Sequence, residues 1–409
     1  MKQDYEYIVL GLGGLGSGAA YWLSRRAGRE VLGLEQFETG HVRGGSQDHS
    51  RIIRLSYHTP EYVRLAKQAY TAWMVLEEEA GENLIVKTGG LDLWPAGSAI
   101  PGEDYTRSMQ ACDVPFERLD AAEIMRRWPQ FRLTEDVYGL YQAESGIAPA
   151  ARCNAAHQRM ARANGATLLD NTPISAVRPL NGAVEVMAGG TTYRCRKLII
   201  AAGAWTNNIL AHFSPPSQTA SGSPPSQGGV GGGSAFKLPL TVTQEQVTYF
   251  ATPHLADFAP EHFPIWIWMD EPCFYGFPVY GEPATKAAQD VGGEAVTAET
   301  RSFEPNPANA QRVEHFLQKY IPSALGPVLY TKTCLYTMPP DRDFVIDTIP
   351  GYDHCSVAVG AGHAFKFASL LGKILSELAI DGRTESNLEP FKMDRPILQM
   401  ENPPKSFMV

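Results

Sequence analysis

Cysteine is scarce in this chain: six residues in 409, at positions 112, 153, 195, 273, 334 and 355. No two make a C-x-x-C pair and none has zinc spacing, which excludes a disulfide framework and a finger-type metal site. Free thiols in a reducing compartment, the cytoplasm, are expected. Long hydrophobic runs are also missing, and none approaches the roughly 18–20 residues that a spanning helix needs. The apolar N-terminal stretch follows Lys2, Asp4 and Glu6 and is broken by glycines, which is wrong for a signal peptide. Basic residues are in deficit, with 35 Lys+Arg against 44 Asp+Glu and a formal charge of −9. Nucleic acids and anionic membranes both call for a basic surface, so neither is expected as a partner.

What is present is a chain able to build a large core. Hydrophobic residues make up 44% of it, and its length suggests two or three structural units. Tyr5 to Leu10 is a short β-branched and apolar run, right for a strand buried on both faces. Gly11-Leu-Gly13-Gly-Leu-Gly16 follows at once, then a helical stretch from Ser17 to Arg26, ended by Gly28. A second strand runs from Glu30 to Glu35, which stands 24 residues after Gly11. Strand, G-x-G-x-x-G, helix, strand and acid together form a dinucleotide-binding fingerprint. The glycines let backbone amides approach a pyrophosphate, the helix N-terminus supplies a favourable field, and Glu35 accepts from ribose hydroxyls. An acid there disfavours a 2′-phosphate, which leaves FAD and NAD.

A later segment bears on that choice. Tyr193 to Trp205 reads as a strand entering a tight turn of small residues at Ala202-Gly203-Ala-Trp205, followed by Thr206 to Leu210. Two-domain flavin oxidases carry such a strand and turn late in the FAD domain, and NAD dehydrogenases do not need it. Taken alone, it also suits an ordinary buried strand.

Three further stretches are Gly44-Gly-Ser-Gln-Asp-His-Ser50-Arg51-Ile-Ile-Arg54, Lys332-Thr-Cys334-Leu-Tyr336-Thr and Gly362-His363-Ala-Phe-Lys366-Phe. With Gly203 and Trp205 they make the chain resemble the family of monomeric sarcosine oxidase, N-methyltryptophan oxidase and pipecolate oxidase, in the same motif order over nearly its whole length. The resemblance implies an α/β fold: a Rossmann-type FAD domain and a discontinuous α+β substrate domain with a mixed sheet. It puts the FAD domain at 1–87, 148–212 and 338–409, and the substrate domain at 88–147 and 213–337. The aromatic runs at 265–268 and 274–277 suit strands of the latter. Residues 214–234, rich in Ser, Pro and Gly, fit no element and read as a flexible insertion.

The resemblance also implies site roles. Cys334 matches the cysteine that carries a thioether to the flavin, although a lone cysteine is more often a core thiol. Lys286 matches the lysine where oxygen is reduced; a fixed ammonium there would stabilise superoxide. Arg54 and Lys366 match the pair that holds the substrate carboxylate, and either also suits a structural ion pair. Arg51 matches the arginine beside the flavin ring, next to Ser50 in the cofactor-contacting turn. Tyr275 and Tyr336 match pocket tyrosines, although a tyrosine in an apolar strand is more often core, and His363 is the histidine expected near the flavin, where a satisfied core histidine is the other reading. The implied reaction is oxidation of a secondary amine amino acid to an imine, with oxygen reduced to hydrogen peroxide by a monomer. A dehydrogenase using another acceptor and a non-catalytic FAD-binding subunit are the competing readings.

The sequence departs from the family at three places. Gln47 and Asp290 stand where histidines are usual, with His49 out of register, and the loop before Gly362 is about one residue short. An aspartate near the pocket, with Trp266 and Trp268, suggests a substrate larger than N-methylglycine.

Overall fold

The computed structural model describes residues 2–214, 236–404 and 406. The insertion expected at 214–234 therefore lies, from residue 215 on, outside the described residues. Asp4–Leu10 is the first strand, with Ile8, Val9 and Leu10 fully buried. It pairs in parallel with Val31–Leu34 on one side and Thr191–Ile200 on the other, with Leu10 opposite Leu34 and Ile200. Thr191–Ile200 divides its far edge. Its first half pairs antiparallel with Ala183–Ala188, and its second half pairs parallel with Tyr352–Val359. Thr167–Leu169, Ile174–Leu180 and Val345–Ile349 complete an eight-stranded sheet among the described residues.

The first helix, Gly14–Ala27, begins earlier than the glycine-rich sequence suggests. Glycine is a poor helix former, yet here the Gly14 amide donates to Ser46 Oγ at 2.9 Å and Ser17 N closes on Gly13 O at 2.9 Å. Long-range capping starts the helix inside the turn. Helix Gly14–Ala27 packs on Ala368–Asp381 almost backbone to backbone, since a Cβ on Gly372 would overlap the backbone of Gly18. Helix Ala150–Ala163 covers another side of it and ties the turn down, with Gln158 Nε2 donating to Leu12 O at 2.9 Å.

A nine-stranded sheet forms the second layer. Thr241–Phe250 pairs along its length with Val328–Met338, putting Glu245 opposite Cys334. Its other edge meets Thr285–Gln289, with Tyr249 opposite Lys286. Phe274–Phe277, Ile265–Trp268 and Gly90–Trp94 follow in order, so the two aromatic runs are strands as the sequence predicts. The tryptophans face away from the pocket, however. Trp266 stacks on Phe316 at 5.5 Å and Trp268 packs at a tilt on Tyr320 at 4.3 Å, both partners on helix Pro307–Tyr320. The two-residue period sends Ile267 to the opposite face. A small three-stranded sheet, Arg51–Ile53, Gly146–Ala148 and Val86–Lys87, completes the strand pairing. Among the described residues no helix is long and apolar enough to cross a membrane.

Candidate active site

Two cavities abut between the sheets and share Arg51, Gly362 and Phe365 in their walls. The outer one, about 500 Å³, runs along the C-terminal ends of the first parallel strands, where open α/β sheets place their ligands. Gly11, Gly13, Glu35, Gly203 and Trp205 line it, and the turn that carries Gly16 closes one end. A Cβ on Gly11 would stand 2.6 Å from Ala201 O, and one on Gly16 would overlap Gly11 O, so neither site accepts a side chain. Glu35 accepts from the Leu12 amide at 2.9 Å and lies 3.4 Å from His41 Nε2. Burial works against ionisation there, but His41 and the Leu12 amide outweigh it and hold the carboxyl below its usual range.

The inner cavity is smaller, about 100 Å³, and chemically dense. Ser50, Arg51, Arg54, Tyr275, Lys286, Tyr336, His363 and Lys366 all line it, together with apolar Ile100, Ile267, Met269 and Phe277. Arg54, 3% exposed, has its NH1 group 3.2 Å from Asp92 Oδ1, and Ser56 donates to the other carboxylate oxygen at 2.6 Å. Burial opposes the Arg54 charge, and Asp92 more than restores it. Lys366 forms no ion pair among the described residues; burial, then Arg54, lowers it to about 7. Burial likewise lowers Lys286 to about 8, against the pull of Asp48.

His363 stacks on Phe344 at 4.7 Å and its Nε2 lies 2.9 Å from Arg342 O. A carbonyl oxygen only accepts, so Nε2 carries the proton and Nδ1 is the unprotonated nitrogen. Burial, then Lys366, keeps the ring far below the usual histidine range and neutral at pH 7. The tight backbone at Gly362, φ +82°, brings Tyr336 so close that a Cβ there would lie 2.5 Å from its ring. Cys334 lies along the same strand as Tyr336, buried, and lines neither cavity; burial raises its thiol, so it is protonated at neutral pH.

A family model described as FAD-dependent oxidoreductase matches residues 6–378. The chain belongs to that family. It is 33% identical to a monomeric sarcosine oxidase of Streptomyces avermitilis, over 94% of this chain and 96% of that one. It is 29% identical to an N-methyl-L-tryptophan oxidase of Salmonella heidelberg, over 96% of this chain and 99% of the other. Among solved structures, NikD, an amino acid oxidase of nikkomycin biosynthesis, shares the fold with a TM-score of 0.80 at 24% identity, covering 98% and 100% of the two chains. The outer cavity fits the dinucleotide of an FAD-dependent oxidoreductase. Its glycines leave open the space that side chains would fill, and its acid faces the cavity from the end of the second strand.

The departures from the family now have partners. Gln47 Nε2 donates to Val42 O at 3.1 Å and Thr333 O at 2.8 Å, which ties its loop to the strand carrying Cys334. Asp290 lines the inner cavity, its Oδ2 2.8 Å from Arg342 NH2. His49 points to Glu282, 3.1 Å away. Sequence reasoning missed two buried carboxylates, Asp92 on Arg54 and Asp48 on Lys286. An aspartate amid the apolar run Gly-Leu-Asp92-Leu-Trp was a usable signal, because an isolated charge in a buried strand demands a partner. Nothing local marks Asp48.

Proposed function

We propose that the chain is an oxidase of a secondary-amine amino acid, N-methyl or cyclic, that produces hydrogen peroxide. The observation that carries this reading is a small cationic cavity, lined by Arg54, Lys366 and Lys286, that abuts the dinucleotide cavity. Bound FAD would supply the two-electron acceptor, drawing a hydride from the carbon next to nitrogen and handing both electrons to oxygen. Arg54 and Lys366, which line the same cavity, hold the substrate carboxylate. Tyr275 and Tyr336, kept protonated by burial, offer hydroxyls to the amine. Burial strips water from the pocket, so the amine reacts as the neutral base and the imine product hydrolyses after release. Lys286 supplies positive charge for oxygen reduction, and Arg51, at the junction of the cavities, favours negative charge on the reduced ring. His363 positions the Arg342 loop.

Cys334 is the proposed point of covalent attachment, supported by its place on the strand whose Leu335 and Thr337 line the dinucleotide cavity. Residues 1–87, 148–212 and 338–409 would bind the cofactor, and 88–147 with 213–337 the substrate. Membership of the two large sheets follows that division. A cytoplasmic monomer suits six unpaired cysteines and the relatives' description as monomeric.

The test is acid precipitation of the purified protein followed by a peroxide assay across N-methyl and cyclic amino acids. Yellow colour retained in the washed pellet, with peroxide from one of these amines, is the expected result. A colourless protein that FAD does not reconstitute overturns the oxidase reading. Substrate-dependent bleaching without peroxide favours the dehydrogenase. Turnover with oxygen unchanged in Lys286→Ala removes that lysine from the oxygen step.

A further inference from the structure

Lys286 is held by a partner of its own. Its Nζ lies 2.7 Å from Asp48 Oδ2 and donates to Ser50 O at 2.9 Å and Ser50 Oγ at 3.0 Å. Both side chains of the ion pair are 3% exposed. Asp48 is in turn gripped from several sides. Tyr249 OH donates to its Oδ1 at 2.8 Å, Lys332 Nζ lies 3.2 Å away, and Arg51 NH1 lies 3.8 Å from Oδ2. Its backbone has φ +92°, in the region that residues with a Cβ rarely enter, and Ala151 N pins its carbonyl at 3.0 Å. Such a conformation persists only where the surroundings over-determine it.

The groups facing Lys286 come from four segments. Asp48 approaches from the loop and Arg51 from the strand that follows it, Cys334 from Val328–Met338, whose Lys332 reaches Asp48, and Tyr249 from Thr241–Phe250, while Tyr275 of Phe274–Phe277 lines the same cavity. Phe277 covers the ammonium at 4.6 Å, and beyond Tyr249 lie Tyr330 and the Glu282–His49 pair. Burial keeps the tyrosines and the thiol protonated. Among the described residues Asp48 is thus the carboxylate in direct contact with the lysine, and Arg51 works against the lysine's charge.

We propose that Asp48 is the positioning residue for Lys286, keeping the buried ammonium charged and fixed in the cavity wall. The inference rests on the reading of Lys286 as the oxygen-site group. Burial by itself favours the neutral amine. Removing the carboxylate leaves Arg51 beside the lysine unopposed, so the proton is lost at lower pH. Oxygen reduction that depends on the ammonium then fails at lower pH as well.

The test uses the full-length holoenzyme with carbon-13 at lysine Cε. Lys286→Met identifies the Lys286 resonance. Asp48→Asn keeps the shape of the side chain and tolerates the left-handed backbone, and Asp48→Gly removes the backbone strain altogether. In both variants the titration midpoint of Lys286 is expected to fall by at least about one pH unit, the ordinary effect of losing an adjacent opposite charge. The alkaline limb for reoxidation of the reduced enzyme by oxygen should fall with it. An unchanged midpoint overturns the proposal. A midpoint that falls while the oxygen limb stays put leaves Asp48's hold on Lys286 standing and overturns the oxygen-site reading instead.

Discussion

Exchanging His157 for phenylalanine should flatten the acid side of the stability profile. His157 is fully buried in helix Ala150–Ala163, with neither ring nitrogen hydrogen-bonded. It stacks on Trp73 at 5.0 Å, and Trp73 Nε1 donates to Lys366 O at 2.8 Å, so this core ring supports the turn that carries His363 and Lys366. Burial alone lowers it to about 3. The unfolded chain, titrating near about 6.5, then binds one more proton than the folded chain between these values, and stability rises with pH across that window. This residue's contribution is complete above about pH 6.5 and is lost on acidification at about 1.4 kcal/mol per pH unit. At pH 4.5 that amounts to about 2.7 kcal/mol. Phenylalanine keeps the stack and carries no proton. Urea unfolding of both proteins at pH 7.5 and 4.5 isolates the effect, because every other histidine cancels in the comparison. The stability gap should move in the variant's favour by about 2–3 kcal/mol between the two pH values. Parallel profiles would refute the assignment of a neutral, buried imidazole.

Cys334→Ser should release the flavin into the supernatant on acid precipitation, and retained colour would point to another attachment. Gly16→Ala should give a protein that does not retain FAD on a desalting column, because the added methyl overlaps Gly11 O. Arg54→Gln leaves the buried Asp92 carboxylate without its ion-pair partner. A loss of about 3–5 kcal/mol of stability is expected, measured by urea unfolding, alongside a raised KM. Lys366, charged below about 7, should hold carboxylates best in acid. The inhibition constant of a plain carboxylate such as acetate should therefore rise by up to about tenfold per pH unit above that point, and Lys366→Gln should abolish the rise.

The dinucleotide half of the molecule was legible because its signals are local. The strand at Tyr5 to Leu10, the glycines at 11, 13 and 16 and the acid at 35 lie within one stretch, and each constrains the backbone beside it. The family motifs carried the second cavity for a similar reason: Arg51 and Arg54 share one short segment, and His363 and Lys366 share one turn. The orientation of Trp266 and Trp268 was not legible. Strand Ile265–Trp268 is buried on both faces, so no polar alternation says which side meets the cavity. The carboxylates that balance the cations stayed hidden because each pair joins distant segments, as Asp92 does with Arg54 and Asp48 with Lys286.

Those pairs explain how so many cations share one small space. A buried charge with no counter-charge would give up its proton or unfold its surroundings. Arg54 is answered by Asp92, Lys286 and Arg51 by Asp48, and Arg342 by Asp290. Among the described residues Lys366 is left without a carboxylate in contact, and burial brings it down to about 7, below the about 8 of Lys286. Among the described cations that line the inner cavity, Arg51, Arg54 and Lys286 thus have a carboxylate partner and Lys366 does not. On the proposed reading, a substrate carboxylate entering beside Lys366 would complete the set and restore the lysine's charge.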